Sequence, residues 1–266
     1  MISIIIPCFN SGQFLKDAIE SIKNSGNITV ETIIVNDGST DDFTIDFLGE
    51  LEGKGIKVIH QDNQGPAAAR NKGVNHSKGE YLLFLDSDNK VRPEYVKTAK
   101  AILDSFVDVG VVYAKPHFIG SVNDSSIRFN THSFSFDALL AGNYIDMCSL
   151  VRRQAFLEVN GFDEERDLIG WEDADLWIRI AQTRWKFYFI DEVLFDYRVR
   201  TDSLMGVADQ NKRELMLNYL GKKHGFIIHQ RYRQYFRLME KIQEQPFSYF
   251  LRILFYKYIL RSPFIK

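Results

Sequence analysis

The stretch Tyr81-Leu82-Leu83-Phe84-Leu85-Asp86-Ser87-Asp88-Asn89 decides the fold. Apolar residues run without a break into two carboxylates one residue apart. Such a run reads as a central parallel strand, covered on both faces. In open α/β sheets, ligands bind beyond the carboxyl ends of the strands. Asp86 and Asp88 stand at that end. A turn there aims both at one small cation. Hard divalent ions such as Mg2+ or Mn2+ take carboxylate oxygens and bridge them to substrate phosphates. The same residues also make an ordinary turn after a strand, so the neighbouring chain must arbitrate.

Strand and helix signals alternate around this stretch. Ser3-Ile4-Ile5-Ile6 is a buried strand closed by Pro7. Ser11 can cap a helix with Phe14, Leu15, Ala18, Ile19 and Ile22 at helical spacing. Glu31 to Val35 is a second strand, followed by Asn36-Asp37-Gly38-Ser39-Thr40-Asp41-Asp42 and an amphipathic helix. Ser39-x-x-Asp42 reads as a capping box. Ile56 to His60 is a third strand, and Pro66 opens a helix to about Ser77. Pro93 begins another, through about Phe106. This alternation with short connections predicts an open, mostly parallel sheet with helices on both faces. Further on, strands are expected at Val109–Tyr113 and Met147–Arg152, with a polar, irregular loop over Gly120–Ser135. Then come a short helix over Arg153–Val159, a turn at Asn160-Gly161-Phe162 and a helix over Glu172–Thr183. Lys186–Val199 reads as two strands or a hairpin. From about Gln210 the pattern is helical and basic.

The 266 residues are 45% hydrophobic and 26% charged, enough for one large or two small units with a real core. Net charge is −2, unevenly spread. From Lys212 onward there are twelve Lys or Arg against three Asp or Glu, so the body is acidic and the tail basic. Such a tail suits a negative partner. Cys8 and Cys148 form no C-x-x-C pattern, which excludes a thiolate zinc motif and fits a reducing, cytoplasmic setting. The first apolar run ends at Pro7, too short for a signal peptide, and no stretch has the length of a membrane-spanning helix. The six histidines are scattered. No G-x-G-x-x-G follows the first strand, and no nucleophile elbow is present.

In a parallel sheet the loops after the strands share one edge. Here they carry Pro7-Cys8-Phe9-Asn10, Asn36-Asp37-Gly38-Ser39, Gly65 with Arg70 and Asn71 on the next helix, and Asp86-x-Asp88. The set offers a carboxylate for ribose or base, an Arg able to meet phosphate bidentately, and a metal pair. That outlines a nucleotide diphosphate site. Taken singly, Gly65-Pro66 is also a plain helix start, and Arg70 a plain surface charge.

Strand, Pro7, Asn10; Asn36-Asp37-Gly38-Ser39-Thr40-Asp41; Gly65-x-Ala67-x-Ala69-Arg70-Asn71-x-Gly73; Phe84-Leu85-Asp86-Ser87-Asp88; Asn160-Gly161-Phe162-Asp163-Glu164; and Trp171-Glu172-Asp173-x-Asp175 follow in this order. The ordered set resembles the family-two glycosyltransferases with the GT-A fold, over roughly residues 1 to 205. The resemblance implies inverting transfer of a hexosyl group from a nucleotide sugar, usually a uridine diphosphate sugar. The acceptor is then a hydroxyl of a polysaccharide, glycolipid or glycoprotein glycan. It gives Asp37 to base or ribose, Asp86 to the ribose side, Asp88 with Asp86 to a Mn2+ or Mg2+ on the diphosphate, and Asp173 the general base beside Glu172. Pro7, Phe9, Asn10, Gly38, Ser39, Gly65, Arg70, Asn71, Ser87, Trp171 and Arg200 complete the expected donor site. A base is also required physically, because the acceptor hydroxyl loses its proton as it attacks. Glu172, Asp173 and Asp175 in the first turn of a helix also compensate its dipole, and Asp175 can pair with Arg179. Trp171 suits a sugar ring, and Trp177 the core.

Two departures from the family pattern stand out. Asn89 replaces a second acid after the metal pair, and Arg200 stands where His commonly helps hold the metal or diphosphate. Arg has no lone pair for a metal, so Arg200 is expected on the diphosphate itself. The expected organisation is a catalytic domain over 1–208, with a donor half to about 115 and an acceptor half beyond, and a basic helical extension over 209–266. Phe247 to Lys266 mixes aromatics with cations, which suits peripheral contact with the inner face of a membrane or docking on a second subunit. The alternatives are an inactive sugar-nucleotide-binding or scaffold protein, a nucleotidyltransferase, and a nucleic-acid binder acting through the tail. No nucleic-acid partner is expected.

Overall fold

The computed structural model describes residues 1–23, 28–120, 130–200 and 210–260. The chain divides into two units, Met1–Met216 and Leu217–Lys266. In the first unit, β1 (Ile2–Cys8) buries every residue except Pro7, which is half-buried. Its parallel neighbours are β2 (Val30–Asp37) and β4 (Tyr81–Phe84). β3 (Lys57–Gln61) pairs parallel with β2. The rest of the sheet is β5 (Lys90–Val91), β6 (Val109–Gly120), β7 (Leu150–Arg152) and β8 (Lys186–Val199). The order is β3-β2-β1-β4-β7-β6-β8-β5. β7 runs antiparallel to both β4 and β6, and β5 antiparallel to β8.

Strand alternation sends side chains to two apolar layers. Ile2, Ile4, Ile6, Tyr81, Leu83 and Leu85 pack with residues of α1 (Gly12–Lys23), α2 (Asp42–Gly53) and α4 (Pro93–Ser105). Ile5, Leu82 and Phe84 pack on the other face with residues of α3 (Pro66–Asn75), α6 (Arg153–Glu158) and α7 (Glu172–Ala181). Helices therefore cover both faces, as the alternation of the sequence predicts. Each buried isoleucine of β1 contributes about 1.5–3 kcal/mol, and together they fix the register that brings the ends of β1, β2 and β4 to one edge.

The structure departs from the sequence reading in several places. The expected hairpin over Lys186–Val199 is one strand. Its polar pair Asp191-Glu192 forms a bulge: Ala114 faces Ile190 and Lys115 faces Val193. A bulge, like a turn, accepts polar residues, but it bends the strand without reversing it. β6 runs to Gly120, well past Tyr113. The irregular loop expected over Gly120–Ser135 is described only from residue 130 onward, and an unforeseen short helix, α5 (Phe136–Ala141), follows it, capped by Ser135. Ser11 does not cap α1 with its hydroxyl, which lies 2.7 Å from the Ser87 hydroxyl. Asp41, not Ser39, caps α2, accepting from the Thr44 amide at 2.8 Å.

The second unit is helical, as expected. It comprises most of α8 (Gln210–Glu244), then α9 (Pro246–Leu254) and a wider helical turn over Phe255–Leu260. Pro246 separates the two helices, because the residue before a proline is forced out of the helical region; Gln245 has φ −133° and ψ 56°. The boundary expected at 208/209 lies outside the described residues.

Candidate active site

The loops after β1 and β2 are stitched to each other. Asn10, in the left-handed region at φ 48°, receives the Thr40 amide at 2.7 Å and donates its own backbone N–H to the Ser39 hydroxyl at 3.1 Å. Asn36 accepts from the Ser39 amide at 2.9 Å. Asp37 closes β2 and is buried. Its carboxylate receives Gln61 Nε2 at 2.7 Å and the amides of Gln64 and Gly65 at 2.9 and 2.8 Å. A carboxylate has about four acceptor positions, so one further donor can be met there. Gly65 (φ 93°) and Gly38 (φ 74°) supply the backbone shapes this loop needs.

Beyond β4 lies Arg70, 4% exposed. Its Nη1 donates to Glu172 Oε1 and its Nη2 to Asp86 Oδ1, both at 2.6 Å. The guanidinium lies 5.6 Å from the Phe162 ring centre. Burial alone would lower the Arg70 pKa, but Asp86 and Glu172 together hold it above its ordinary value. Arg70 is thus a bridge between two acids, and neither the surface charge nor the bidentate phosphate ligand that the sequence suggests. Glu172 is committed as well: its Oε2 accepts from the Gly170 amide at 2.6 Å. Glu172 thus ties the first turn of α7 to Arg70 and to the Gly170 turn. Asn71 has a similar role, receiving the Phe162 amide at 2.9 Å and donating to the Phe162 carbonyl at 2.9 Å. It staples the Asn160-Gly161-Phe162 turn to α3, so its amide is taken up by the scaffold.

Asp173 follows in the first turn of α7, half-buried. Its Oδ2 accepts from Asn143 Nδ2 at 2.8 Å. Asn143 Oδ1 in turn accepts from the Ile145 amide at 3.1 Å, which orients the amide towards Asp173. Buried Trp177 donates to the Ile145 carbonyl at 3.0 Å, so α7 grips this segment twice. Directly after the second grip stands Asp146, whose Oδ1 accepts from the Cys148 amide at 2.8 Å. Burial first, then the charge of Asp86, pushes the Asp146 carboxyl up to about 7. Burial, then Glu172 and Asp146, raises Asp173 well above the ordinary carboxylate range. Sequence reasoning missed Asn143 and Asp146. The available signal was a carboxylate set between apolar Ile145 and Met147 just before a buried strand.

Asp88 carries the other edge of the cluster. Burial, then the charge of Asp86, pushes its carboxyl up to about 6, against the pull of Arg200. Arg200 Nη1 lies 3.4 Å from Asp88 Oδ2. Asn89 Oδ1 receives the Arg198 amide at 2.8 Å, and Arg198 Nε donates to the Asp88 carbonyl at 3.0 Å. Both guanidinium groups lie over the Phe14 ring, at 4.9 Å for Arg198 and 4.7 Å for Arg200. Trp171 is the N-cap residue of α7 and half-buried, Phe9 is 49% exposed, and Ser87 is buried against Ser11.

Asp86, Asp88, Asp146, Glu172 and Asp173 thus gather around Arg70 and Arg200, and acids outnumber cations. Among the described residues no three metal-ligating side chains form a ready-made cage. The donor set still fits a divalent cation of the oxygen-loving type, which needs only one or two carboxylates when substrate phosphates and water complete its shell. The upward shifts at Asp88 and Asp146 come from burial first and from neighbouring negative charge second, and a bound cation would oppose both.

The glycosyl transferase family 2 model matches residues 3–159. The chain belongs to that family. An uncharacterized glycosyltransferase of Rickettsia bellii is 29% identical over 208 residues, covering 76% of this chain and 29% of that protein. The chain therefore spans less than a third of that relative's length. S. aureus TarS in complex with UDP-GlcNAc has the same fold at a TM-score of 0.63 and 18% identity, covering 85% of this chain and 73% of that one. Mannosyltransferase PcManGT from Pyrobaculum calidifontis, in complex with GDP-Man and Mn2+, gives a TM-score of 0.59 at 16% identity, covering 76% and 58%. The fold is the α/β architecture of the GT-A glycosyltransferases.

Two outcomes follow for this family member's acid cluster. Arg70→Met leaves two carboxylates without their cation, and its unfolding free energy in urea is expected to fall by about 3–5 kcal/mol; a change within error would show the bridge to be dispensable. For Asp146 the sign runs the other way. A carboxyl whose folded pKa is raised favours folding below its ordinary pKa near 4, and that contribution is lost as pH rises towards about 7. Asp146→Asn keeps the acceptor for the Cys148 amide. In metal-free buffer it is expected to stabilise the protein by about 2 kcal/mol at pH 8, with the gain shrinking as pH falls towards 4. A gain independent of pH would contradict this assignment.

Proposed function

We propose that the chain transfers a glycosyl group with inversion from a nucleotide diphosphate sugar, of the uridine diphosphate type, to an acceptor hydroxyl of a glycan or glycolipid. The observation that carries this reading is the edge where β1, β2 and β4 end. It holds Asp37 with acceptor capacity to spare, the Asp86/Asp88 pair, and Asp173 on α7 linked to the pair through the Arg70–Glu172 bridge. Asp37 takes a donor from base or ribose, with Pro7, Phe9, Asn10, Gly38, Ser39 and Gly65 shaping the wall. Asp86 lies on the ribose side, and Trp171 offers a face to the sugar.

Asp173 accepts the proton of the acceptor hydroxyl as that oxygen bonds to the anomeric carbon. The anomeric bond to the diphosphate breaks on the opposite side. Asp88 with Asp86 would hold a Mn2+ or Mg2+, which would supply charge neutralisation for the departing diphosphate. Asn143 keeps one Asp173 oxygen pinned and leaves the carboxylate oriented. A base lifted above the ordinary range holds its acquired proton better, which suits proton abstraction near neutral pH. Arg200 lies 3.4 Å from Asp88 Oδ2, beside the carboxylate that faces the diphosphate in this reading.

A thermal-shift screen of nucleotides and nucleotide sugars with and without Mn2+ tests the donor class, since a ligand of the folded state raises its melting temperature. No shift with any nucleotide would favour an inactive scaffold. Asp173→Asn should bind the donor as the wild type does, while turnover falls about 10²–10⁴-fold. The wild-type rate should rise with pH through a pKa above the ordinary carboxylate value near 4. Retained turnover in Asp173→Asn would remove the base assignment. Arg200→Ala should weaken donor binding by about tenfold, the worth of one charge-assisted hydrogen bond; unchanged donor affinity would move Arg200 off the diphosphate.

A further inference from the structure

The second unit, Leu217–Lys266, carries ten Lys or Arg against two Asp or Glu, and no acid follows Glu244. Within it, α9 places Phe247, Phe250, Leu251 and Leu254 at the i, i+3, i+4, i+7 spacing of a single helical face. None of its residues is buried. Phe247 is 73% exposed and Phe250 55%. Arg252, the only charge on α9, stands away from this face and against the Tyr249 ring at 5.4 Å. The next turn adds exposed Phe255, Tyr258 and Ile259 beside Lys257.

Leaving large aromatic groups in water forgoes the gain of burying them, so this face calls for a partner. A nucleic acid would match the charge but leave the apolar face wet. A second copy of this unit would cover the face but bring the same positive charge to it. A bilayer bearing anionic headgroups satisfies both, taking the aromatic face into the interface while the cations meet the headgroups. The nine residues of α9 span on the order of 14 Å, half of a ~30 Å hydrocarbon core. Among the described residues no helix is long and apolar enough to cross a membrane. The helix therefore lies in the interface.

We propose that the described part of the second unit, Leu217–Leu260, is an anionic-lipid docking surface, with the Phe247/Phe250/Leu251 face of α9 as its inserted part. The test is flotation of the full chain with vesicles of phosphatidylcholine alone and of phosphatidylcholine with phosphatidylglycerol. The wild type should float with the mixed vesicles, at least about tenfold less with phosphatidylcholine alone, and less at high salt. The F247E/F250E variant changes two exposed side chains. Its melting temperature should be unchanged and its flotation on the mixed vesicles roughly tenfold lower. Arg252→Gln with Lys257→Gln should lower flotation without affecting the melt. Equal flotation of wild type and F247E/F250E would overturn the proposal, as would no flotation with either vesicle. A wild-type dimer in sedimentation velocity that the variant dissolves, with no flotation, would also overturn it and assign the face to a second copy. These readouts need no turnover, so they stand apart from the sugar-transfer reading.

Discussion

One buried guanidinium organises the catalytic edge. Arg70 comes from α3, Asp86 from the loop that ends β4, and Glu172 from the first turn of α7. Taking an arginine out of water is expensive, and two carboxylates at 2.6 Å offset that cost only while both stay in place. The bridge therefore sets the distance between the β4 loop and α7 without a covalent link. Phe84, Phe156 and Phe162 form the apolar floor under it, with the Phe84 and Phe162 rings edge-to-face at 4.9 Å. Such a floor keeps water from competing for the guanidinium, which strengthens the pairs.

The bridge also leaves a surplus. Arg70 is shared by Asp86 and Glu172, so Asp146 and Asp173 have no side-chain cation of their own among the described residues. Their raised pKa values follow from burial first, then from Asp86 and Asp88 for Asp146 and from Glu172 and Asp146 for Asp173. A group of acids kept together in this way is poorly suited to stability alone, since an apolar set of equal volume would pack at lower cost. It is well suited to meeting a ligand that brings positive charge and taking up a proton. Two adjacent acids thereby have different partners: Glu172 meets Arg70 and the Gly170 amide, whereas Asp173 meets the Asn143 amide and the Ala174 N–H.

The parts of this arrangement that were legible in the sequence are those written in local order. Apolar runs placed β1 to β4, and the residues just after them were rightly expected to share an edge, because parallel topology leaves no other choice. Trp177 and the Asp175–Arg179 pair were read correctly from helical spacing; Arg179 Nε is 2.8 Å from Asp175. What could not be read was who holds whom over long separations. Arg70 and Glu172 are 102 positions apart and Asn143 and Asp173 thirty. Nothing in a spacing of that size tells a phosphate ligand from a buried bridge, or a sugar contact from the scaffold role of Asn71. The two strands or hairpin expected over Lys186–Val199 failed for a related reason: a polar pair such as Asp191-Glu192 tolerates both a turn and a bulge, and only the partner strand decides.

The two departures from the family pattern belong to one structural unit. Asn89 fastens the Arg198 amide, Arg198 fastens the Asp88 carbonyl, and Arg200, two residues further on, shares the Phe14 ring with Arg198. An amide at position 89 removes one negative charge that an acid would place beside Asp88. A guanidinium at position 200 adds a positive charge that never titrates away. Both changes act in the same direction on Asp88, and neither alone would balance the other's geometry, because Asn89 is what holds the strand that presents Arg200. A cation at Asp88 then meets a weaker field than the acid pair by itself would give, while a diphosphate meets a stronger one. On the proposed sugar-transfer reading, the charge facing a departing phosphate would be shared between the Arg200 guanidinium and an exchangeable ion, and the Asn89–Arg198 hydrogen bond between the β4–β5 loop and β8 helps position the first of these.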